Sequence, residues 1–411
     1  MHVLIVSQYF WPESFRINDL AVTLRERGHE VTVLTGIPNY PVGRSFPGYR
    51  AFTVLRESFR GVVVRRTPLI PRGEGTRWRL ALNYLSFAFS ASLATFFLRE
   101  RFDLIFVYEM SPITVGLPAI LLRRLRRIPV MFWVQDLWPE SLSATGAIRS
   151  RTVLALMEKV VRFIYRSCDQ ILVQSEAFVP CVRALCPKKT PVSFFPNWAE
   201  AFYMPLTLRA DSPARAELPN GFRVIFAGNI GAAQSFETIL AAAQRLKHQE
   251  DVHWVVFGNG RRKSWVESEI SARGLSRTVH LLGTRPAEAM PRYFALADGL
   301  LVTLKRDPVF ALTVPSKIQS YLACGRPVLA ALDGEGARVL AESGAGLVVG
   351  AEDSEGLAEA VIRLRRMSSD EREIMGRRGR EYFEANFDRD RLLDRLEGWM
   401  RELTRRRARG S

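Results

Sequence analysis

Short apolar runs alternate with helically spaced stretches along most of this chain, and that alternation predicts its architecture. Val3 to Ser7 is a β-rich run followed by the loop Gln8 to Arg16. Ile17 to Arg27 then carries Leu20, Ala21 and Leu24 at helical spacing, Gly28 caps it, and Glu30 to Thr35 is the next strand. A strand, helix, strand unit of this kind belongs to a parallel sheet, whose ligands gather at the carboxyl ends of the strands. The rhythm continues through the strands Asp103 to Val107 and Pro129 to Val134, the helix Thr152 to Cys168 and the strand Ile171 to Gln174. Phe195 to Asn220 breaks it and reads as a linker. A second series begins at Arg223 with RVIFA, then the helix Phe236 to Leu246, the strand His253 to Phe257 and the apolar runs Gly299 to Leu304 and Val328 to Ala331. Helices at Leu357 to Leu364, Glu371 to Phe383 and Asp390 to Arg406 complete an α/β reading in two domains.

Between the last two apolar runs, DPVFALTVPSKIQSYLACGRP predicts a short helix with Pro315 in its first turn and Gly325 and Pro327 at its end. The amides of Ser316, Lys317 and Ile318 then stand at the positive end of a helix dipole, beside a hydroxyl and an ammonium, an arrangement suited to a diphosphate. An ordinary capped helix has the same pattern. Two further loops fall on the same edge: GNIGAAQS, with Gly228, Asn229 and Gln234, and GNGRRK, with Gly258, Gly260 and Arg261. Three loops together have the character of a nucleotide diphosphate site formed by Gly228 to Gln234, Gly258 to Lys263 and Val314 to Lys317. The GxGxxG fingerprint of nicotinamide enzymes is absent.

In the first half, the loop YFWPESFRIN offers Trp11, Glu13, Arg16 and Asn18, groups able to stack on a sugar ring or hydrogen-bond its hydroxyls, although a packed loop contains the same residues. QDLWPES places Asp136 and Glu140 on either side of Trp138 at a strand end. Asp136 and Glu13 are the candidate catalytic carboxylates; a turn-capping Asp136 and a core Trp138 are the alternatives. Gly36 to Tyr49 is either a mobile lid or a long connection.

Leu80 to Leu98 contains no charged residue and is long enough to span a bilayer, but its Asn, Ser and Thr content and its place in an α/β pattern favour a buried helix or a membrane-facing surface. Arg72, Arg77 and Arg79 precede it, and Arg123, Arg124, Arg126 and Arg127 form a second basic cluster. Lys and Arg outnumber Asp and Glu by 58 to 42, a net charge of +16 that attracts phosphates, nucleic acid or an anionic membrane. No basic recognition element or aromatic platform for nucleic acid stands out. Four cysteines without a CxxC pair suggest neither zinc nor disulfides, and the strand starting directly after Met1 leaves no signal peptide to expect. Asp388 and Asp390 form a DxD triplet at a helix start, which reads as capping rather than a metal site.

Taken in order, YFWPESFRINDLA, RGHEVTVLTGIPNYP, VQDLWPESL, FAGNIGAAQSFETIL and VPSKIQSYLACGRPVLA resemble the GT-B glycosyltransferases of family 4, over nearly the whole chain, and especially bacterial enzymes of colanic-acid and O-antigen assembly, including fucosamine transferases. The resemblance implies two Rossmann-like domains with parallel sheets facing across a cleft: an acceptor-binding domain over 1–200, a nucleotide-sugar-binding domain over 201–385, and a terminal helix, 386–411, returning to the first. It implies retaining, metal-independent transfer without a resident cofactor, the nucleotide-diphosphate sugar being co-substrate. A hexosyl or N-acetylaminohexosyl unit would pass to a polyprenyl-diphosphate-linked glycan, and the enzyme would sit in the cytoplasm against the inner membrane face. Donor-binding residues would be Gly228, Asn229, Gln234, Gly258, Gly260, Arg261, Pro315, Ser316, Lys317 and Ser320; Trp11, Arg16, Asn18, Trp138 and Glu140 would meet the acceptor. The family's two glutamates eight positions apart fall on Leu312 and Ser320, its diphosphate cations on Asn229 and Gln234, and its histidine on Gln135 and Asp136, leaving Lys317 as the leading cation. The rival readings are a nucleotide-sugar epimerase or hydrolase and a basic nucleic-acid-binding protein.

Overall fold

A computed structural model describes residues 1–144 and 150–410. The chain forms two compact units, one of Met1–Phe195 with Leu393–Ser411 and one of Pro196–Leu392.

The first unit is built on an eight-stranded sheet of order β3-β4-β2-β1-β5-β6-β7-β8. Its strands are β1 (His2–Val6), β2 (Glu30–Gly36), β3 (Leu55–Phe59), β4 (Val62–Thr67), β5 (Leu104–Glu109), β6 (Val130–Val134), β7 (Gln170–Val173) and β8 (Val192–Phe194). All pairs are parallel except β3 with β4. Residues on both faces of β1, β5, β6 and β7 are buried, as expected for strands covered by helices on both sides. The register sets Ile5 opposite Val33 on one side and Phe106 on the other. The helices are α1 (Arg16–Glu26), α2 (Arg77–Ala94), α3 (Gly116–Arg126), α4 (Glu140–Ala144), α5 (Arg151–Arg166) and α6 (Phe178–Leu185). Successive contacts of α2 with α3, α3 with α5 and α5 with α6 make these four one layer.

The β3–β4 hairpin departs from the sequence expectations, which contain no strand there. β3 alternates half-buried and exposed positions, so it lacks the apolar run that betrays a buried strand, and Arg60 and Gly61 turn the chain with positive φ. The connection Gly36 to Tyr49 is tied to the turn at Gly73. Gly43 receives the Gly73 amide on its carbonyl at 2.8 Å, and a Cβ on Gly43 would stand 1.8 Å from the Gly73 carbonyl oxygen.

α2 starts three residues earlier than the apolar stretch and is only partly a core helix. It buries Asn83, Phe87, Ala88 and Ala91 and leaves Trp78, Leu82, Leu85, Phe89 and Leu93 exposed. Arg77–Phe97 is long and apolar enough to cross a membrane by length and composition, but one side of it is committed to the unit's core.

The second unit has a six-stranded, wholly parallel sheet of order β11-β10-β9-β12-β13-β14. These strands are β9 (Phe222–Ala227), β10 (Val252–Phe257), β11 (Val279–Gly283), β12 (Gly299–Thr303), β13 (Val328–Ala331) and β14 (Gly346–Val349). Its helices are α7 (Pro213–Ala216), α8 (Phe236–Arg245), α9 (Lys263–Ala272), α10 (Met290–Phe294), α11 (Pro308–Ala311), α12 (Ser316–Ala323), α13 (Glu335–Ser343), α14 (Ser354–Arg366) and α15 (Ser369–Asn386). One core, including Ile225, Leu300, Ile318, Tyr321 and Val328, fills the α12 side of the sheet; a second, including Trp254, Ile239 and Leu357, fills the other.

α16 (Arg389–Gly410) closes the chain, and its Leu393 onward belongs to the first unit. Trp399 packs edge-on against Phe195 at 5.9 Å, and Glu397 meets His29 Nε2 at 3.0 Å. Asp388 accepts the Arg391 amide at 2.9 Å, so the first aspartate of the DxD triplet caps this helix. The Ala408 and Arg409 side chains of its basic tail lie outside the described residues.

Candidate active site

Each unit carries a polar constellation at the carboxyl ends of its strands. In the first, Asp136 follows β6 and is half-buried. Its Oδ2 accepts the Ser111 hydroxyl at 2.9 Å, and the Ser111 Oγ in turn accepts the Trp138 indole N–H at 2.9 Å. Glu109 ends β5 and is fully buried, its two oxygens accepting the amides of Ser111 at 3.1 Å and Asp136 at 3.4 Å. Burial pushes the Glu109 carboxyl well above the carboxylate range, and the neighbouring Asp136 charge pushes it further. Burial also raises Asp136 to about 6, against the pull of the Ser111 hydrogen bond. Tyr84, which feels both carboxyls and Arg72 and shares a hydrogen bond with Tyr9, borders the pair. Such a pair is suited to holding a hydroxyl and taking its proton.

The other expected residues of this half divide. Glu13 is 2% exposed, and its oxygens accept three backbone amides: Asn39 at 2.8 Å, Tyr40 at 2.7 Å and Phe10 at 3.3 Å. It joins the loop after β1 to the loop after β2, so the expectation of a catalytic carboxylate turned toward a ligand is corrected to a structural one. Burial raises its carboxyl to about 7 despite those amides. Asn18 likewise serves the loop, accepting from the Trp11 amide at 2.9 Å and donating to the Glu13 carbonyl at 2.7 Å. One face of Trp11 stacks on Phe59, with centroids 4.8 Å apart, and its carbonyl accepts from buried Arg66. Trp138 is 5% exposed and is therefore core with a hydrogen-bonding tip, not a platform for a sugar ring. Arg16 opens α1, half-buried, and Glu140 opens α4, exposed. Glu109 and Ser111 were not among the expected residues. The signal for Glu109 was a carboxylate at the end of the otherwise apolar LIFVYE.

In the second unit the three expected loops do come together. The Gly228 amide donates to the Phe257 carbonyl at 2.9 Å, and the Ile230 amide to the Asn259 carbonyl at 2.8 Å. A Cβ on Gly258 would lie 1.9 Å from the Gly228 carbonyl oxygen, and one on Gly260 would lie 2.4 Å from that of Ile230, so only glycine permits this approach. Lys317 reaches from α12 beneath this wall. Its ammonium donates to Gln234 Oε1 at 2.7 Å and stands 5.1 Å from the Phe226 ring centroid, and a Cβ on Gly228 would meet its Cε at 2.6 Å. Burial lowers the ammonium to about 8.

The helix start is narrower than its sequence suggests. Pro315 is the N-cap of α12, and its carbonyl takes the Ile318 amide at 2.9 Å, leaving the amides of Ser316 and Lys317 as the donors at the exposed end. Ser320 is 9% exposed, and its hydroxyl turns back to the Ser316 carbonyl at 3.4 Å. Asn229 and Arg261 are exposed on the two glycine loops. Sequence reasoning passed over Tyr321, whose buried hydroxyl accepts the Ala227 amide at 3.1 Å and holds the start of the Gly228 loop, and Lys305, whose amide donates to the Ala233 carbonyl at 2.9 Å. Together the glycine wall, the helix start and Lys317 can receive a diphosphate.

Residues 14–198 match the family described as Glycosyl transferase 4-like domain, and residues 221–366 match Glycosyl transferases group 1. The Escherichia coli K12 protein named as the colanic acid biosynthesis glycosyl transferase WcaI is 27% identical over 337 residues, covering 79% of this chain and 82% of that protein. WbjE of Pseudomonas aeruginosa, named as a glycosyltransferase, is 28% identical over 303 residues, covering 72% of each. Among solved structures, sucrose-phosphate synthase from Thermosynechococcus elongatus superposes with a TM-score of 0.74 at 18% identity, covering 98% of both chains. Anabaena HepE in complex with UDP and glucose gives a TM-score of 0.70 at 17% identity, covering 97% of this chain and 98% of HepE. With both halves matched to glycosyltransferase families and each unit built on a parallel α/β sheet, the chain belongs to the family 4 glycosyltransferases of the GT-B fold.

Proposed function

We propose that this enzyme transfers a hexosyl or N-acetylaminohexosyl unit, with fucosamine-type sugars in that class, from a nucleotide-diphosphate sugar to a polyprenyl-diphosphate-linked glycan. The transfer serves assembly of a cell-surface polysaccharide, of colanic-acid or O-antigen type, at the inner face of the cytoplasmic membrane. The observation that carries the reading is Lys317 held beneath the glycine wall of Gly228 and Gly258. An ammonium already surrendered to burial gains most from a dianionic ligand, and it would stabilise the nucleoside diphosphate as the anomeric C–O bond breaks. The amides of Ser316 and Lys317 add donors to the same leaving group. The names of WcaI and WbjE support a polysaccharide role, and the UDP of the HepE structure supports a nucleotide donor.

On the other side of the reaction, the acceptor hydroxyl would form the new bond at the anomeric carbon with retention, and Asp136 would take up the hydroxyl proton. No metal is assigned a part. Thermal shifts with UDP-, GDP- and dTDP-sugars identify the donor, since a bound ligand must raise Tm. Transfer of label from that donor to a butanol-extractable product, unaffected by a chelator and of retained anomeric configuration, is the expected result. Donor hydrolysis or epimerisation without an acceptor requirement would sink the reading.

A further inference from the structure

Where α3, α5 and α16 meet, two adjoining cavities of about 380 and 490 Å³ share Arg124 as a wall. Their charge is lopsided. Asp169 is the one acid lining them, and it is consumed by a two-pronged bond from Arg123, at 3.0 and 2.9 Å, and by the Val130 amide at 2.8 Å. Arg162 and Arg406 have their own helical partners in Glu158 and Glu402. Arg124, Arg127, Lys159 and Arg166 have no carboxylate partner among the described residues; Arg124 lies over the Phe163 ring at 5.1 Å. Arg127 also holds a left-handed backbone, φ 56°, at the end of α3, where glycine is the usual residue.

The layer of α2, α3 and α5 that bears the groove also presents apolar side chains that the described residues leave exposed. On α5, Val153, Leu156 and Phe163 are exposed at helical spacing, and on the other side of α3 the α2 ridge includes Leu85 and Phe89, the latter 69% exposed. Phe97, 79% exposed, follows α2 directly. A solvated basic face needs no such ridges, and a nucleic acid would gain nothing from them. An anionic bilayer meets both features at once, phosphates for the cations and an acyl boundary for the ridges.

We propose that this groove is a cradle for the phosphates of anionic phospholipid headgroups, with the α2 and α5 ridges seated in the bilayer surface beside it. The proposal rests on the reading that the acceptor is lipid-linked, which requires the enzyme to work at a membrane. It adds a lipid site separate from the strand-end edge where Asp136 and Glu109 lie, because α3 delivers its last turn to the start of β6 rather than its end.

The test is co-sedimentation of the full chain with vesicles of phosphatidylcholine alone and of equal parts phosphatidylcholine and phosphatidylglycerol. The parent should bind the anionic vesicles more tightly, the difference shrinking with salt. Arg127→Glu with Lys159→Glu should lower partition on anionic vesicles about tenfold or more, since each basic residue near such a surface contributes about 1 kcal/mol. Leu85→Ser with Phe89→Ser should weaken binding to both vesicle types in a salt-insensitive way. Circular dichroism verifies that each variant folds. Equal binding to both vesicles, or an unchanged partition after charge reversal, overturns the proposal. So does inorganic phosphate bound by the ridge variant as tightly as anionic vesicles are bound by the parent, which would make the groove a soluble-anion site. These assays contain neither donor nor acceptor, so an enzyme found to use a soluble acceptor while still binding anionic vesicles would sink the functional reading and leave the lipid site standing.

Discussion

Glu109 supports Asp136 through the backbone and Ser111 bridges the two: the Asp136 amide donates to Glu109 at 3.4 Å, the Ser111 amide donates to Glu109 at 3.1 Å, and the Ser111 hydroxyl donates to Asp136 at 2.9 Å. No cation forms an ion pair with either carboxyl among the described residues, and the Asp136 charge disfavours that of Glu109. The structure thus keeps two buried carboxyls side by side without a neutralising cation, at a cost to stability.

That cost gives the first prediction a sign. Asp136 titrates near 6 when folded, above the roughly 3.9 of a free aspartate, so the folded state binds more protons and stability declines as pH rises between those values. Asp136→Asn removes the decline. Its Tm should match that of the parent near pH 4 and exceed it at pH 7, by roughly 1 kcal/mol of stability after allowance for solvent screening. Turnover should fall by about a hundredfold, the scale of a lost acid–base group. A lower Tm at pH 7 with normal activity per folded molecule would make Asp136 a cap.

Lys317 carries the second. Replacing it with alanine should weaken nucleotide-diphosphate affinity by about 10- to 150-fold, the equivalent of the roughly 1.5 to 3 kcal/mol of a charge-assisted hydrogen bond. The ammonium titrates near 8, so it is charged below that pH and progressively neutral above it. Diphosphate binding to the parent should therefore weaken as pH rises through about 8, and Lys317→Ala should show a flatter profile. Calorimetric titration across that range checks both. An equal slope in parent and variant would remove Lys317 from the diphosphate site.

Glu13 provides a contrast, because its two oxygens serve three amides. Glu13→Gln keeps one acceptor oxygen and turns an amide N–H toward a backbone N–H, so it should destabilise by about 1 to 3 kcal/mol. Activity per folded molecule should survive at a temperature well below Tm. A large loss of turnover without loss of stability would restore the catalytic reading of this carboxylate.

What the sequence made legible follows from periodicity and what it hid follows from tertiary contact. Buried parallel strands such as β1, β6 and β10 are near-continuous apolar runs, and the helix beginning after Pro315 has local start and stop signals. In the β3–β4 hairpin, β3 has no apolar run, β4 has only the short run Val62 to Val64 before two arginines, and Gly61 is the one strong turn residue, so it went unseen. Loops were harder still. YFWPESFRIN looked like a sugar-binding surface because its residue types suit one, but Asn18, Glu13 and Trp11 face their own neighbours. Glu109 was concealed in an apolar strand, and Tyr321 acts through a hydroxyl 94 positions from its partner amide. The three glycine-bearing and basic loops were legible because strand order alone brings their ends to one edge.

Gly258 offers the sharpest steric test of that edge. Its missing Cβ would fall 1.9 Å from the Gly228 carbonyl oxygen, a backbone atom that no rotamer can move. Gly258→Ala must therefore displace the Gly228 loop, and the Gly228 loop is the wall against Lys317. Because the Gly228 amide donates to the Phe257 carbonyl immediately before Gly258, the shift should also strain the junction between β9 and β10. Overpacking of this kind costs typically about 1 to 3 kcal/mol. The expected outcome is a lower Tm together with donor affinity reduced at least as far as in Lys317→Ala, while vesicle binding, proposed above for a groove of the first unit, should stay unchanged. Gly398→Ala is the control, since a Cβ there meets nothing within 4 Å, and in a helix it should be neutral or stabilising by up to about 1 kcal/mol. If Gly258→Ala binds nucleotide-diphosphate sugars as the parent does, the glycine wall is a packing feature and the diphosphate must be held elsewhere.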